Sequence, residues 1–307
     1  MEKREYDVAV IGGGPAGYTA ALYCARSGMK TAVLEKLSAG GQMSATDRID
    51  NYPGFGEGID GFELGERMRS GAEKSGAETI YEEAAALSVE RDGKKKILTR
   101  SGEIAASAVI AAVGARAREL GLPGERSLVG RGIAYCAACD GARYKGKRVV
   151  VVGGGNTAVG DALCLSGICE KVTLVHRRDS LRAPAARLKE LETHGVEVVW
   201  NSLPSALLYG DRLTGVRLRD VRTGEEREIS CDGLFAAIGR TPETELFKGI
   251  LTLDEGGYIV ADETTRTNVP GVFAAGDART KPVRQIVTAA ADGAVAAHFA
   301  EQYLRGL

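Results

Sequence analysis

The chain has 307 residues, with 40 basic against 41 acidic side chains and a net charge of -1. That length holds two domains and a substantial buried core, and the charge balance excludes a nucleic-acid or membrane-surface partner drawn in by bulk electrostatics. No run approaches the roughly 18 apolar residues of a membrane span. The start, MEKREYDVAVIGGG, lacks the long apolar stretch of a signal peptide, so a soluble, cytoplasmic protein is expected.

Residues 6–28, YDVAVIGGGPAGYTAALYCARSG, read as a strand, a tight glycine turn and an alanine-rich helix, the opening of a βαβ unit. Gly12, Gly14 and Gly17 fit G-x-G-x-x-G, with Pro15 and Ala16 starting the helix. The first glycine permits the turn, the second lets backbone approach a pyrophosphate, and the third lets helix pack on strand. The helix N-terminus then faces the phosphates. The next strand, KTAVLE, ends at Glu35, eighteen residues after Gly17, where an acid binds the ribose of a dinucleotide.

Midway along the chain, YCAACDG (135–141) sets Cys136 and Cys139 two residues apart with Asp140 behind them. The spacing suits either half of a zinc site or a redox dithiol. The strand-turn-helix pattern then returns as KRVVVVGGGNTAVGDALCLSG, with Gly153, Gly155 and Ala158 in the three key places and Asn156 and Thr157 opening the helix. Eighteen residues after Ala158 stands His176, at the head of HRRDSLR. An acid there would repel a ribose 2'-phosphate, whereas Arg177 and Arg178 attract one, and Arg182 can close the same pocket. The second site therefore looks built for NADPH, with His176 by itself better read as structural. Tyr144 and the basic residues near it form a candidate docking patch for an acidic partner.

VIAAVGA (109–115) and LFAAIGR (234–240) repeat a strand end and mark passages between two domains. Toward the C-terminus, TNVPGVFAAGDA places a strand before Gly276 and Asp277, and RQIVTAAADGAVAAHFA continues as a small-residue helix. The expected fold is α/β, with two Rossmann-like dinucleotide-binding domains. The boundaries expected are 1–115 and 244–307 for a discontinuous FAD domain and 116–243 for an inserted NADPH domain. Of the six cysteines, Cys24, Cys164 and Cys231 sit among apolar neighbours and are expected to be buried thiols.

GGGPAGYTAA, GGQMSATDRIDNYPGF, YCAACDG, GGGNTAVGDA, HRRDSLRA, PGVFAAGD and RQIVTAAADG, in this order, resemble the low-molecular-weight, bacterial-type thioredoxin reductases over essentially the whole chain. The resemblance implies FAD held by the first glycine turn, Glu35, Gly40, Gly41, Gln42, Asn51, Gly276, Asp277, Arg284, Gln285 and Ile286. It implies NADPH held by the second glycine turn and by Arg177, Arg178 and Arg182. Zinc needs about four ligands, and no second close pair or histidine cluster follows Cys136 and Cys139, so no metal is expected and the pair reads as a redox dithiol. The resemblance further implies that Cys139 faces the flavin, that Cys136 attacks the disulfide of thioredoxin, and that the enzyme is a homodimer. Asp140 is a proton carrier for thiol exchange, with capping of the turn as its alternative role. The sequence departs from the family pattern at Ala138, Gly160 and Leu181, where threonine, an acidic or longer polar residue, and phenylalanine are usual. Rival readings are a same-fold reductase with another electron donor or another disulfide protein, and a non-catalytic redox sensor.

Overall fold

The first apolar run forms β1 (Glu2–Ile11) in the computed structural model, which describes residues 2–306. Gly12 ends the strand at a φ of 108°, and α1 (Pro15–Arg26) and β2 (Thr31–Leu34) follow. Next come α2 (Gly61–Lys74), β3 (Glu78–Ile80), β4 (Ala86–Val89), β5 (Lys95–Leu98) and β6 (Gly102–Ala111). A short strand, β7 (Ala115–Ala117), carries the chain out of this unit.

The second unit contains β8 (Ile133–Ala134), α3 (Ala137–Asp140), β9 (Arg148–Val152), α4 (Asn156–Ser166), β10 (Lys171–Val175), α5 (Ala185–Thr193) and β11 (Glu197–Val199). It continues through β12 (Ser202–Tyr209), β13 (Leu213–Asp220), β14 (Glu226–Ser230) and β15 (Gly233–Ala236). The chain returns through β16 (Arg240–Pro242), which pairs with β7, to β17 (Val272–Ala274) and the 20-residue α6 (Ile286–Arg305). The units are thus Met1–Arg116 with Thr241–Leu307, and Ala117–Arg240. This is the α/β class expected, one Rossmann-like unit interrupting another.

In the first unit, β3, β2, β1 and β6 lie side by side in parallel, β17 adds in parallel to β6, and β5 and β4 continue the sheet in antiparallel fashion. Alternation along the parallel strands sends Val8, Val10, Val33 and Ile110 to one face, where α1 and α6 cover them, and Ala9, Ile11, Leu34 and Val109 to the other. Burial on both faces is why these strands read as continuous apolar runs. The helices meet closely because α6 is poor in bulk. A Cβ on Gly293 would lie 2.2 Å from the Ala16 carbonyl oxygen of α1.

The second unit repeats the plan in a parallel five-stranded sheet, β11-β10-β9-β15-β8, with the antiparallel β12-β13-β14 beside it. Two expectations fail here. Cys24 and Cys231 are buried, but Cys164 is exposed, because the face of α4 turned to the core carries Ala158, Val159, Ala162 and Leu165. Tyr144 is no docking residue: it is 4% exposed, packs edge-on against Phe235 at 5.2 Å and fills the space over Gly233. Among the described residues, no helix is long and apolar enough to cross a membrane.

Candidate active site

The first glycine turn is a backbone cradle that side chains would destroy. A Cβ on Gly12 would sit 2.5 Å from the Ala112 carbonyl oxygen, and one on Gly17 only 1.8 Å from that of Gly12. Gly14, by contrast, has nothing within 4 Å of where its Cβ would be, and it caps α1 without any side-chain hydrogen bond. The free first-turn N–H groups of a helix facing such an opening fit a pyrophosphate. Glu35 lies beneath the turn, 7% exposed, with Oε2 accepting from the Gly13 N–H at 2.8 Å and Oε1 from the Leu37 N–H at 2.9 Å.

Three further loops meet this cradle. Gly40 donates its N–H to the Gly13 carbonyl at 2.8 Å, and a Cβ on Gly41 would lie 3.3 Å from Gly14 Cα. Gln42 donates through Nε2 to the Ala115 carbonyl. Gly276, at φ 74°, rests against Ala16, and Asn51 donates to Gln285, the residue that caps α6 in a reciprocal box with Thr288. Ile286 begins α6 and packs with Met43, Ile49, Ile59 and Leu64. Arg284 lies over the Tyr258 ring at 4.1 Å and donates to the carbonyls of Asp277 and Arg279 at 3.4 and 3.3 Å. In this unit the 40–41 turn and Gly276 pack against the first glycine turn and the start of α1, while Asn51 and Arg284 bond to Gln285 and to the Asp277 carbonyl.

The second turn copies the first with one exchange. Gly155 caps α4 without a side-chain bond, and Arg182 Nη2, at 3.9 Å, is the nearest atom to where its Cβ would be. Asn156 and Thr157 open the helix as exposed residues, and Ala158 is buried against Gly153. The Arg182 N–H donates to the Gly154 carbonyl at 2.8 Å, as that of Gly40 does to Gly13. His176 fills the place that Glu35 fills in the first turn. It is 8% exposed and lies so close beneath Gly154 that a Cβ there would fall 2.0 Å from its Cε1. Burial pushes the His176 pKa down, and Arg178 and Arg177 add to the effect, while backbone hydrogen bonds at Gly153 and Ser180 oppose it. A neutral imidazole replaces a carboxylate, and Arg177, Arg178 and Arg182 beyond it are exposed.

Cys136 and Cys139 are joined as a disulfide across the single turn of α3, with Cα atoms 5.3 Å apart. Cys136 is half-buried and Cys139 exposed. Next to the pair, the Tyr135 hydroxyl donates to Glu125, whose carboxylate also takes the N–H groups of Leu120, Gly121 and Leu122. Asp140 makes no side-chain cap to the following turn. Burial pushes its pKa up, against the pull of Arg143 at 4.0 Å. Among the described residues no cluster of three His, Cys, Asp or Glu side chains is placed to hold a metal.

Sequence reasoning missed a buried ion cluster behind the Gly276 turn. Asp292 of α6 accepts from the Gly276 N–H at 2.9 Å, from Arg279 at 2.8 and 2.9 Å, and from Lys281 at 2.7 Å. Its burial pushes the carboxyl up, but the hydrogen bonds from Arg279 and Lys281 outweigh this and hold the pKa below its usual value.

Two dinucleotide cradles and a redox-active cysteine pair define a flavin- and nicotinamide-dependent oxidoreductase. Residues 6–293 match the family described as pyridine nucleotide-disulphide oxidoreductase. The chain is 44% identical over 301 residues to the thioredoxin reductase of Treponema pallidum (strain Nichols), covering 98% of this chain and 97% of that protein. It is 47% identical over 306 residues to that of Streptomyces clavuligerus, covering 98% and 94%. The crystal structure of thioredoxin reductase from Streptococcus pyogenes MGAS5005 superposes with a TM-score of 0.92 at 39% identity, covering all of both chains. The chain belongs to the pyridine nucleotide-disulphide oxidoreductases, and within them to the thioredoxin reductases.

Proposed function

We propose that this enzyme reduces the disulfide of thioredoxin with electrons from NADPH, passed through FAD. The observation that carries the reading is the Cys136–Cys139 disulfide in the same unit as a glycine turn followed by His176, Arg177 and Arg178 rather than by an acid. FAD would lie in the first unit, on Gly12, Gly14, Glu35, the 40–42 turn, Asn51, Asp277 and the 284–286 segment. NADPH would lie in the second unit, on Gly153, Gly155, Asn156, Thr157 and the arginines, its 2'-phosphate held by Arg177 and Arg178. Bound there, FAD and NADPH would supply hydride-transfer chemistry, and the Cys136–Cys139 disulfide would be the acceptor of the electron pair within the chain.

The residues of the chain then perform the exchange. The Cys136 thiolate attacks one sulfur of the thioredoxin disulfide, forming a mixed disulfide and releasing a thiolate that takes a proton from Asp140. The Cys139 thiolate attacks Cys136 Sγ, closes the internal disulfide and frees the second thioredoxin thiol. A homodimer is inferred from the family resemblance.

Steady-state turnover with NADPH and NADH tests the nucleotide reading. Replacing Arg177 and Arg178 together with alanine should raise KM for NADPH by roughly 10- to 100-fold while leaving that for NADH almost unchanged. Equal effects on both nucleotides would refute the phosphate role.

A further inference from the structure

The two cysteines of the disulfide are held by different parts of the second unit. Cys139 lies on α3, whose Ala137 is 2% exposed and shares a core with Val159, Ala162 and Leu165 of α4. Just past α3, a Cβ on Gly141 would lie 3.2 Å from Leu165 Cδ2. Cys136 stands outside the helix as its N-cap, extended at φ -152° and ψ 109°, and its side chain caps nothing. Before it, β8 has only two residues, Ile133 and Ala134, paired with Leu234 and Phe235 of β15. Tyr135 is the single residue between that strand and the redox turn.

The Tyr135 side chain is anchored. Its hydroxyl donates to Glu125 Oε1 at 3.0 Å, and the same oxygen accepts the Leu120 N–H at 2.9 Å. Oε2 takes the N–H groups of Gly121 and Leu122 at 2.8 and 3.3 Å. Glu125 is 2% exposed. A buried carboxylate that accepts four hydrogen bonds is a fixed point, because moving it strands donors in a dry interior. Burial and the hydrogen bond to Glu125 push the Tyr135 pKa up, so the phenol stays a donor. The 120–122 segment follows closely on β7, and Arg118 between them donates its N–H to the Gly239 carbonyl at 3.0 Å.

We propose that Glu125 and Tyr135 are positioning residues for the dithiol, their hydrogen bond fixing the backbone ahead of Cys136 so that Cys136 Sγ stays within reach of Cys139. The proposal rests on the reading of Cys136 and Cys139 as the working pair. The step assisted is closure of the internal disulfide. The Cys139 thiolate attacks Cys136 Sγ of the mixed disulfide, the new bond forms as the Cys136–thioredoxin bond breaks, and the electron pair leaves on the thioredoxin sulfur. Closure within one chain is favoured because the two sulfurs are held close, and the advantage shrinks when one of them gains freedom.

Tyr135→Phe tests this with the least disturbance: the ring stays packed on the core that contains Leu128 and Ile133, and Oε1 keeps the Leu120 N–H. The measurement is the equilibrium of the Cys136–Cys139 pair with reduced and oxidised glutathione in the holoenzyme, quenched with acid, alkylated and read by peptide mass spectrometry. The equilibrium constant for closure should fall by about tenfold in Tyr135→Phe and by at least as much in Glu125→Gln, since misplacement by about 1 Å can cost roughly 100-fold. A merely structural role would lower the denaturation midpoint and leave the closure constant at its wild-type value, and that result in Tyr135→Phe would overturn the proposal. So would a fall in Tyr135→Phe that a folded Glu125→Gln enzyme did not share, because the hydroxyl would then act without the acid. Where Glu125→Gln does not fold, Tyr135→Phe decides alone. Thioredoxin reduction that survived Cys136→Ser would instead overturn the dithiol reading, whatever the glutathione result.

Discussion

At the scale of single residues the two cradles differ in what lies beneath the turn. Glu35 and His176 occupy matching positions beneath the two glycine turns, one an acid held by two backbone N–H groups, the other a buried imidazole with arginines after it. That exchange was legible in the sequence because it falls at a fixed offset from a motif with a steric cause. Asp292 was not legible. It is a lone acid among alanines and glycines, and its partners Arg279 and Lys281 lie 13 and 11 residues upstream, beyond any helical or strand period. Removing one member of a buried ion cluster leaves uncompensated charge, so Asp292→Ala should cost about 3–5 kcal/mol in denaturant unfolding. Because the folded pKa of Asp292 lies below its unfolded value, its stabilisation is complete above the ordinary carboxylate range, about pH 4. It should fade as pH falls through the folded pKa. A variant whose acid limb of stability matched wild type would contradict this.

Elements carry the next level of constraint, and glycine separates the two cases. Gly17→Ala would force a Cβ to 1.8 Å from the Gly12 carbonyl oxygen and should abolish flavin retention, read as loss of visible absorbance in the purified protein. Gly160 lies inside α4 with nothing within 4 Å of its Cβ position. Gly160→Ala should therefore stabilise the protein by about 0.4–1 kcal/mol, measured as an increased denaturation midpoint. The departure at Leu181 is absorbed by packing on the core of the second unit. Strands and glycine turns were readable because burial on both faces and close backbone approach each leave a composition signal. The exposure of Cys164 and the burial of Tyr144 were not, since both depend on which side of an element meets its neighbour.

Over the whole molecule, one design is used twice: a parallel sheet, a glycine turn at a strand end, and a helix that starts from that turn. The second copy adds a cysteine pair, which turns a nucleotide-binding unit into one that can exchange electrons with a protein disulfide. The units meet in sequence at residues 116–117 and 240–241, where β7 pairs with β16. In the proposed reaction, electrons run from NADPH through flavin and the Cys136–Cys139 pair to thioredoxin. An anaerobic flavin spectrum, recorded after one equivalent of NADPH and again after oxidised thioredoxin, tests it most directly. Bleaching of the flavin followed by recovery is the result expected. Absence of bleaching would contradict the nucleotide assignment, and bleaching without recovery would contradict thioredoxin as the substrate.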